Sequence, residues 1–578
     1  MVRINHRFLF SMLAILLSSA APLMGQTADA IYYNGHVITV WDAHPAAEAF
    51  AIRGDKFLAV GSNDEVMRTA GANTQKVDLH GRTVTPGLIE SHVHPIMSAL
   101  GDRDETFPSL HSIADIQAYI RKQVGIVPAA RIIIVPKVFA TRLEEHRLPT
   151  RYELDEAAGP RLAMTDNGYS SSLDSAMLAH LHITRETPQP ADGKIIRDAK
   201  GEPLGPILGS NKLLEPARKS APATFEDKLW ALRSMQQRYN TAGITSVMDR
   251  AQDAEGFRVY ETLEARGELS VRSSVTFLIN GLGTPQDVRK EIEAIPLITG
   301  WGDDWVRVGS LKTVVDGGML TGTAYLLEPW GENTQVYDYH DPSYRGVLRV
   351  PKENLFEMAR VADELGWQMT AHVAGDGAES LLLDAYEAAD KVKPIRGRRF
   401  CITHGNFTPP EAIARAVKLG VVIDSQIALH YLDGPAVKIP FGPERMKTFD
   451  PYRSMFDAGM VVSGGSDHMI GFDPRTAINP YHPFFGMWMA ITRKTVDGSV
   501  LEPEQRITRE EALRMWTING AYLTFDEKKK GSIEPGKLAD FAVINKDYLT
   551  CPEDEIRDID PLRTVVGGRV VYDRLPAQ

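Results

Sequence analysis

Two histidines one residue apart, His92 and His94, follow the lead-in Pro86-Gly87-Leu88-Ile89-Glu90-Ser91. In a strand, side chains two residues apart face the same way, so both imidazoles can reach one metal ion. His180 and His182 share that spacing but follow the run 176–179, where a helix is expected. On a helix such side chains point about 200° apart and chelate poorly. Lys312 lies inside the apolar run 306–315. A buried ammonium is costly unless paired or neutralised. Burial lowers its pKa, and a neutral amine can take up CO2 as a carbamate, an anionic donor able to bridge two metals. A salt-bridged or snorkelling lysine is the alternative. His372, His404 and Asp467 each close a β-rich run. Taken singly, each has a structural reading as a cap or a core hydrogen-bonding group. Their order carries the argument, because they fall at successive strand ends where barrel active sites are built.

Those strand ends belong to an alternating pattern. Strand runs are expected at 88–94, 244–249, 271–278, 306–315, 368–372, 399–404, 421–426 and 461–466. Helical runs are expected at 226–240, 256–265, 352–365, 378–389, 410–419 and 509–522. Eight strands, mostly with a helix after each, point to a parallel β/α fold and suggest a closed barrel. His-x-His, Lys, His, His and Asp then sit on strands one, four, five, six and eight. The segment from about 99 to 220 does not fit the count. It holds two further strand-like runs, 132–135 and 161–165, and reads as an inserted subdomain after the first barrel strand. Insertions of this kind often shape pockets. Short strand-like runs punctuated by glycine fill 30–84 and recur after 531. Neither piece is long enough for its own core, so both ends of the chain are expected to build one small β-sandwich.

The stretch Thr85-Pro86-Gly87-Leu88-Ile89-Glu90-Ser91-His92-Val93-His94, the lysine strand 312–317, His372-Val373-Ala374-Gly375-Asp376, Gly465-Ser466-Asp467 and the return 531–540 together resemble the amidohydrolase superfamily. The resemblance covers nearly the whole chain and is nearest the branch of N-substituted formamide deformylase and related exported hydrolases. It implies a distorted (β/α)8 TIM-like barrel, 87–530, with a sandwich from 28–86 and 531–575. It also implies that His92, His94 and Asp467 bind the more buried metal and His372 and His404 a second, bridged by carbamylated Lys312. Zinc is the expected ion, two per chain, although Mn, Co, Ni or Fe also suit such donors. The implied reaction is hydrolysis of an amide-type C–N bond of a small molecule by metal-activated hydroxide, with Asp467 as proton shuttle. A one-metal deaminase, a lactone or cyclic-amide hydrolase, and a non-catalytic periplasmic binding or regulatory protein are the competing readings. The chain departs from the family where Tyr169-Ser170-Ser171-Ser172-Leu173-Asp174-Ser175 replaces His-Ser-Ala-Trp-Val-Asn-Ser, at Thr403 in place of Glu, and at His468-Met469. These departures bear on the substrate. Tyr169, Gln426 and His430 are candidate substrate contacts, and Trp330, Tyr337 and Trp488 candidate aromatic walls.

Composition narrows the field further. With Lys plus Arg at 64 and Asp plus Glu at 75, the net charge of −11 argues against a nucleic-acid partner. Two cysteines exclude a disulfide scaffold and a Cys-based zinc module, so a metal site must rest on the 16 histidines and on carboxylates. No Gly-x-Ser-x-Gly elbow occurs, which argues against a serine hydrolase. Arg3, His6 and Arg7, the apolar run 8–17 and small residues after it read as a signal peptide over 1–25. The run is shorter than the roughly 20 residues a bilayer needs. The expected product is periplasmic or secreted, with no stable membrane anchor after cleavage. Self-association is left open.

Overall fold

The first barrel strand, Leu88–Val93, is buried along its whole length, as a strand covered on both faces must be. It opens an eight-stranded sheet whose neighbours all pair in parallel. The others follow in chain order: Ile244–Gln252, Arg272–Leu278, Val306–Val314, Met369–Val373, Cys401–His404, Val422–Ser425 and Val462–Gly464. The sheet curls back on itself, with a parallel bridge between Val93 and His468. Helices cover its outer face, among them Phe225–Thr241, Lys352–Leu365, Asp376–Val392 and Pro410–Leu419. This is the expected parallel barrel.

The structure, a computed structural model, describes residues 27–103, 110–190, 193–209, 211–218, 222–331 and 342–575. The expected signal peptide and Tyr337 lie outside the described residues. Among those described, no helix is long and apolar enough to cross a membrane.

The N-terminal part of the chain enters two further sheets, and the C-terminal strands complete the second. One joins Ala28–Tyr33, Ala49–Arg53, Lys56–Gly61 and Ala70–Asp78. The other joins His36–Ile38, Ala46–Ala47 and Thr83–Pro86 to Phe541–Ile544, Pro561–Val566 and Arg569–Asp573. Phe541 pairs with Pro86 and Ile544 with Thr83, so the two ends meet strand to strand. Tyr32, Phe50, Phe57 and Phe541 pack between these sheets, with the Phe50 and Phe541 rings 4.8 Å apart. Gly87 then leads from this region into the barrel, where a Cβ would stand 2.2 Å from the Thr245 hydroxyl.

The insertion has a sheet of its own, built from Ile133–Pro136, Ala163–Asp166, Ser170–Leu173, Gly193–Arg197 and Pro203–Gly209. Three of its five strands were not expected. Their serines, glycines and prolines hide the apolar alternation that marks a strand. The segment after the seventh strand was likewise not read as a helix. It forms Ile427–Met446, which carries Pro435, Pro440 and Pro443 and breaks at Gly442.

Candidate metal centre

Barrel register brings the polar strand ends together. The first strand buries His92 completely and hands His94 to the start of the helix Pro95–Gly101. Asp467 follows the last strand in a left-handed backbone conformation, φ 54°. Its N–H donates to the His92 carbonyl at 2.9 Å, and its own carbonyl accepts from Asn479 Nδ2 at 2.8 Å. Asp467 Oδ1 therefore stands 3.2 Å from His94 Nε2 and 3.5 Å from His92 Nε2. One donor atom from each of these three residues lies within 4.8 Å of the others. Gly465 permits the approach, since a Cβ there would sit 2.9 Å from that of His92.

The remaining strand-end groups close around this trio. Lys312, on the fourth strand, holds its Nζ 3.2 Å from His92 Nε2. The His404 ring centre is 5.2 Å from that of His92 and 4.3 Å from that of His372. His404 also has a positive φ, 74°. Such backbone costs about 1–3 kcal/mol per residue and collects at functional sites. His372 Nε2 lies 3.2 Å from the Gly317 carbonyl and 3.7 Å from Asp316 Oδ1.

Burial sets the charge states here. Burial, aided by the Lys312 charge, holds His92 well below the usual imidazole range, and burial with the His404 and Lys312 charges does the same to His372. His404 is pulled down to about 4, again chiefly by burial. Burial brings Lys312 down to about 8. Burial pushes the Asp467 carboxyl up, but the His94 hydrogen bond and the His92 and His94 charges outweigh it and hold it below the usual carboxylate range. Burial thus favours neutral imidazoles at His92, His372 and His404 beside a carboxylate held in its ionised form, the donor forms a divalent metal requires.

An outer ring of polar residues, missed in the sequence, orients the first. Asp424 is fully buried, with Oδ2 3.3 Å from His92 Nδ1 and 2.9 Å from the buried Arg250 guanidinium. Its Oδ1 accepts from Ser91 Oγ at 2.7 Å and Gln426 Nε2 at 2.9 Å. Glu90 Oε1 accepts from the Ser466 N–H at 2.8 Å and the His92 N–H at 3.3 Å, tying the first strand to the last. The available signal was a charged residue at the end of an apolar strand: Arg250 and Asp424 both have it, but neither is a usual zinc donor by spacing.

The structure places the other candidates as follows. Tyr169, on the insertion, lies over the site with its ring 6.4 Å from that of His372. Gln426 turns its amide to Asp424, and His430 is buried against Phe449 with ring centres 5.4 Å apart. Trp330 bonds the Ala324 carbonyl and packs on Phe441, and Trp488 packs on Tyr431 and Phe485, so both are core. His180 and His182 are exposed. Of the departures, Thr403 bonds Thr370 at 2.6 Å, while His468 is spent on the Gly471 carbonyl and Tyr239.

The amidohydrolase family model matches residues 75–572. The chain belongs to the amidohydrolase family. N-substituted formamide deformylase of Arthrobacter pascens is 29% identical over 566 residues, covering 95% of this chain and 99% of the relative. The Arabidopsis thaliana protein LONG AFTER FAR-RED 3 is 26% identical over 575 residues, covering 96% and 94%. An uncharacterized metal-dependent hydrolase of Pyrococcus horikoshii shares the fold, with a TM-score of 0.67 and 22% identity over 91% of this chain and 99% of that one. This amidohydrolase is a hydrolase acting on carbon–nitrogen bonds.

Proposed function

We propose that the protein is an exported hydrolase that cleaves the amide C–N bond of a small molecule with divalent metal, most suitably zinc. The observation that carries this reading is the convergence of His92, His94 and Asp467 donor atoms within 4.8 Å, with Lys312 and the His372–His404 pair beside them. Neutral imidazoles and one carboxylate form a donor set that fits zinc. His92, His94 and Asp467 would hold one ion, His372 and His404 a second, and carbamylated Lys312 would join the two. When bound, the metals supply an acidified water and an electrophile for the substrate carbonyl.

The chain's own residues do the rest. Asp467 is ionised at neutral pH and stands at the inner wall, so it can take a proton and pass it to the departing amine nitrogen. Asp424 fixes the His92 ring through Nδ1, leaving Nε2 for the site. Tyr169, on the insertion, stacks 6.4 Å from the His372 ring and would form one wall of the site.

Metal analysis of active protein, paired with a hydrolysis screen on amides before and after chelation, tests the proposal. Two ions per chain and chelator-sensitive amide turnover are expected. One tightly held ion in fully active protein would remove the bridged arrangement, and turnover indifferent to metal would remove the whole reading. Asp467→Asn is expected to lower kcat by at least about 100-fold, in the range for a lost acid–base group.

A further inference from the structure

Asp316 lies just past the fourth barrel strand, Val306–Val314, and is fully buried. Val314 stands opposite His372 in the parallel pairing, and the Val315 N–H donates to the His372 carbonyl at 3.1 Å. That register carries the Asp316 carboxyl to the turn that follows His372. Its Oδ1 accepts from the Ala374 N–H at 3.0 Å. Its Oδ2 accepts from the N–H groups of Gly375 and Tyr325 at 3.0 and 2.9 Å. One side chain thus ties the end of the fourth strand to the turn after the fifth and to the loop at Tyr325.

The consequence falls on the His372 ring. Its Nε2 lies 3.2 Å from the carbonyl of Gly317, the residue next to Asp316, and 3.7 Å from Asp316 Oδ1. A carbonyl only accepts, so a neutral imidazole placed here carries its proton on Nε2 and keeps its lone pair on Nδ1. His92 is arranged the other way. Its Nδ1 faces Asp424 Oδ2 at 3.3 Å, and its Nε2 stands 3.2 Å from Lys312 and 3.5 Å from Asp467. The two imidazoles are therefore set by different devices. A side chain orients His92, whereas a backbone carbonyl orients His372. A carbonyl goes where its backbone is held, and the neighbouring Asp316 does the holding.

We infer that Asp316 is a positioning residue for the second metal. It fixes the Gly317 carbonyl against the turn 374–375, and through that carbonyl it sets the orientation and tautomer of His372. This rests on the two-ion reading proposed above and adds a residue to it. Asp316→Asn keeps the volume but leaves one acceptor oxygen for three N–H donors and turns an NH2 group toward them.

The test measures the affinity of each of the two zinc ions by competition against a chelator. The full-length wild type is compared with Asp316→Asn, His372→Ala and the double variant, each checked for folding by thermal melting. Asp316→Asn is expected to weaken one ion by about 10–100-fold and to leave the other unchanged. In the His372→Ala background the same change should have no further effect on metal, because the two residues act as one unit. Equal weakening of both ions, or an undiminished loss in the His372→Ala background, would overturn the inference and assign Asp316 to the fold at large. Should Asp316→Asn not fold, a crystal structure of the zinc-loaded wild type decides: zinc on His372 Nδ1 with Nε2 on the Gly317 carbonyl supports the inference, and zinc on Nε2 overturns it. A wild type that binds one ion, indifferent to His372→Ala, would remove the two-ion reading itself. Metal-free crystal structures of the wild type and Asp316→Asn then judge Asp316 separately. A His372 ring turned away from Gly317 in the variant supports its positioning role, and an unmoved ring overturns it.

Discussion

Asp424 shows how one carboxylate can serve several neighbours without touching substrate. It lies fully buried between His92, Arg250, Ser91 and Gln426. A metal-binding imidazole whose second nitrogen faces a carboxylate is fixed in ring orientation and made a stronger donor. Asp424→Asn keeps the volume and removes the charge. The expected result is a loss of metal affinity by about 10–100-fold with the fold retained. Competition against a coloured chelator measures it, and unchanged affinity would show that Asp424 serves packing alone. At this scale the sequence was legible where a residue type is diagnostic. Histidines two apart at a strand end, or a lysine inside an apolar strand, gain their meaning from falling in order on successive strand ends, since each alone has a structural reading. Asp424 and Arg250 escaped because an acid or arginine near a strand end usually faces solvent, and nothing local reveals that His92 lies beside them.

At the scale of elements, the insertion is fastened to the metal centre through one chain of contacts. Arg142 donates to Asp433 on the helix Ile427–Met446 and to Asn479 Oδ1 at 2.7 Å. Asn479 in turn donates to the Asp467 carbonyl. Thr141 adds a 2.6 Å bond to Asp433. Removing one partner of a buried ion pair typically costs about 3–5 kcal/mol. Arg142→Met is therefore expected to lower the thermal midpoint and to reduce kcat/KM by about tenfold or more, since small misplacements of a reacting group are costly. A stable variant with full activity would mean that the insertion does not set the position of Asp467. A second element carries an acid where its charged form is unfavourable. Glu379, on the helix Asp376–Val392, is buried with neither carboxyl oxygen bonded. Burial raises it from its ordinary value of 4.5 to about 8. The folded protein thus keeps a proton that the unfolded chain releases above about 4.5, so this contribution is complete in acid and is lost as pH rises through about 8. Glu379→Gln should raise stability more at pH 8 than at pH 5, as read from melting curves at both values. An equal effect at the two pH values would contradict that origin. Long, periodic elements such as Lys352–Leu365 and Pro410–Leu419 were legible to the residue. Ile427–Met446 was not, because its prolines signal breaks that tertiary packing overrides.

At the scale of the whole molecule, the chain closes on itself. The sheet that holds Thr83–Pro86 is completed by three strands from the far end, beginning with Phe541–Ile544. The pairing fixes Gly87 and hence the entry of the first barrel strand, which ends in the His92 and His94 pair. One buried ion pair locks the two bodies: Arg272, on the third barrel strand, binds Asp540 through two bonds of 2.8 and 3.1 Å. Asp540 also accepts from the Gly567 N–H at 2.7 Å. The return 531–540 was recognisable as a motif, but its ionic partner was not, because Arg272 lies some 270 residues earlier in an otherwise ordinary strand. Asp540→Ala would leave the Arg272 charge buried without its partner, a situation that typically costs about 3–5 kcal/mol. The expected outcome is a clear fall in the unfolding midpoint while metal content below the transition stays at the wild-type level, because no group at the metal centre contacts Asp540. The pair of measurements separates two roles. Loss of stability with metal retained assigns Asp540 to docking the sandwich on the barrel. Loss of metal at temperatures where the fold is intact would instead mean that sandwich docking sets the geometry of the first strand and with it the donor pair His92 and His94.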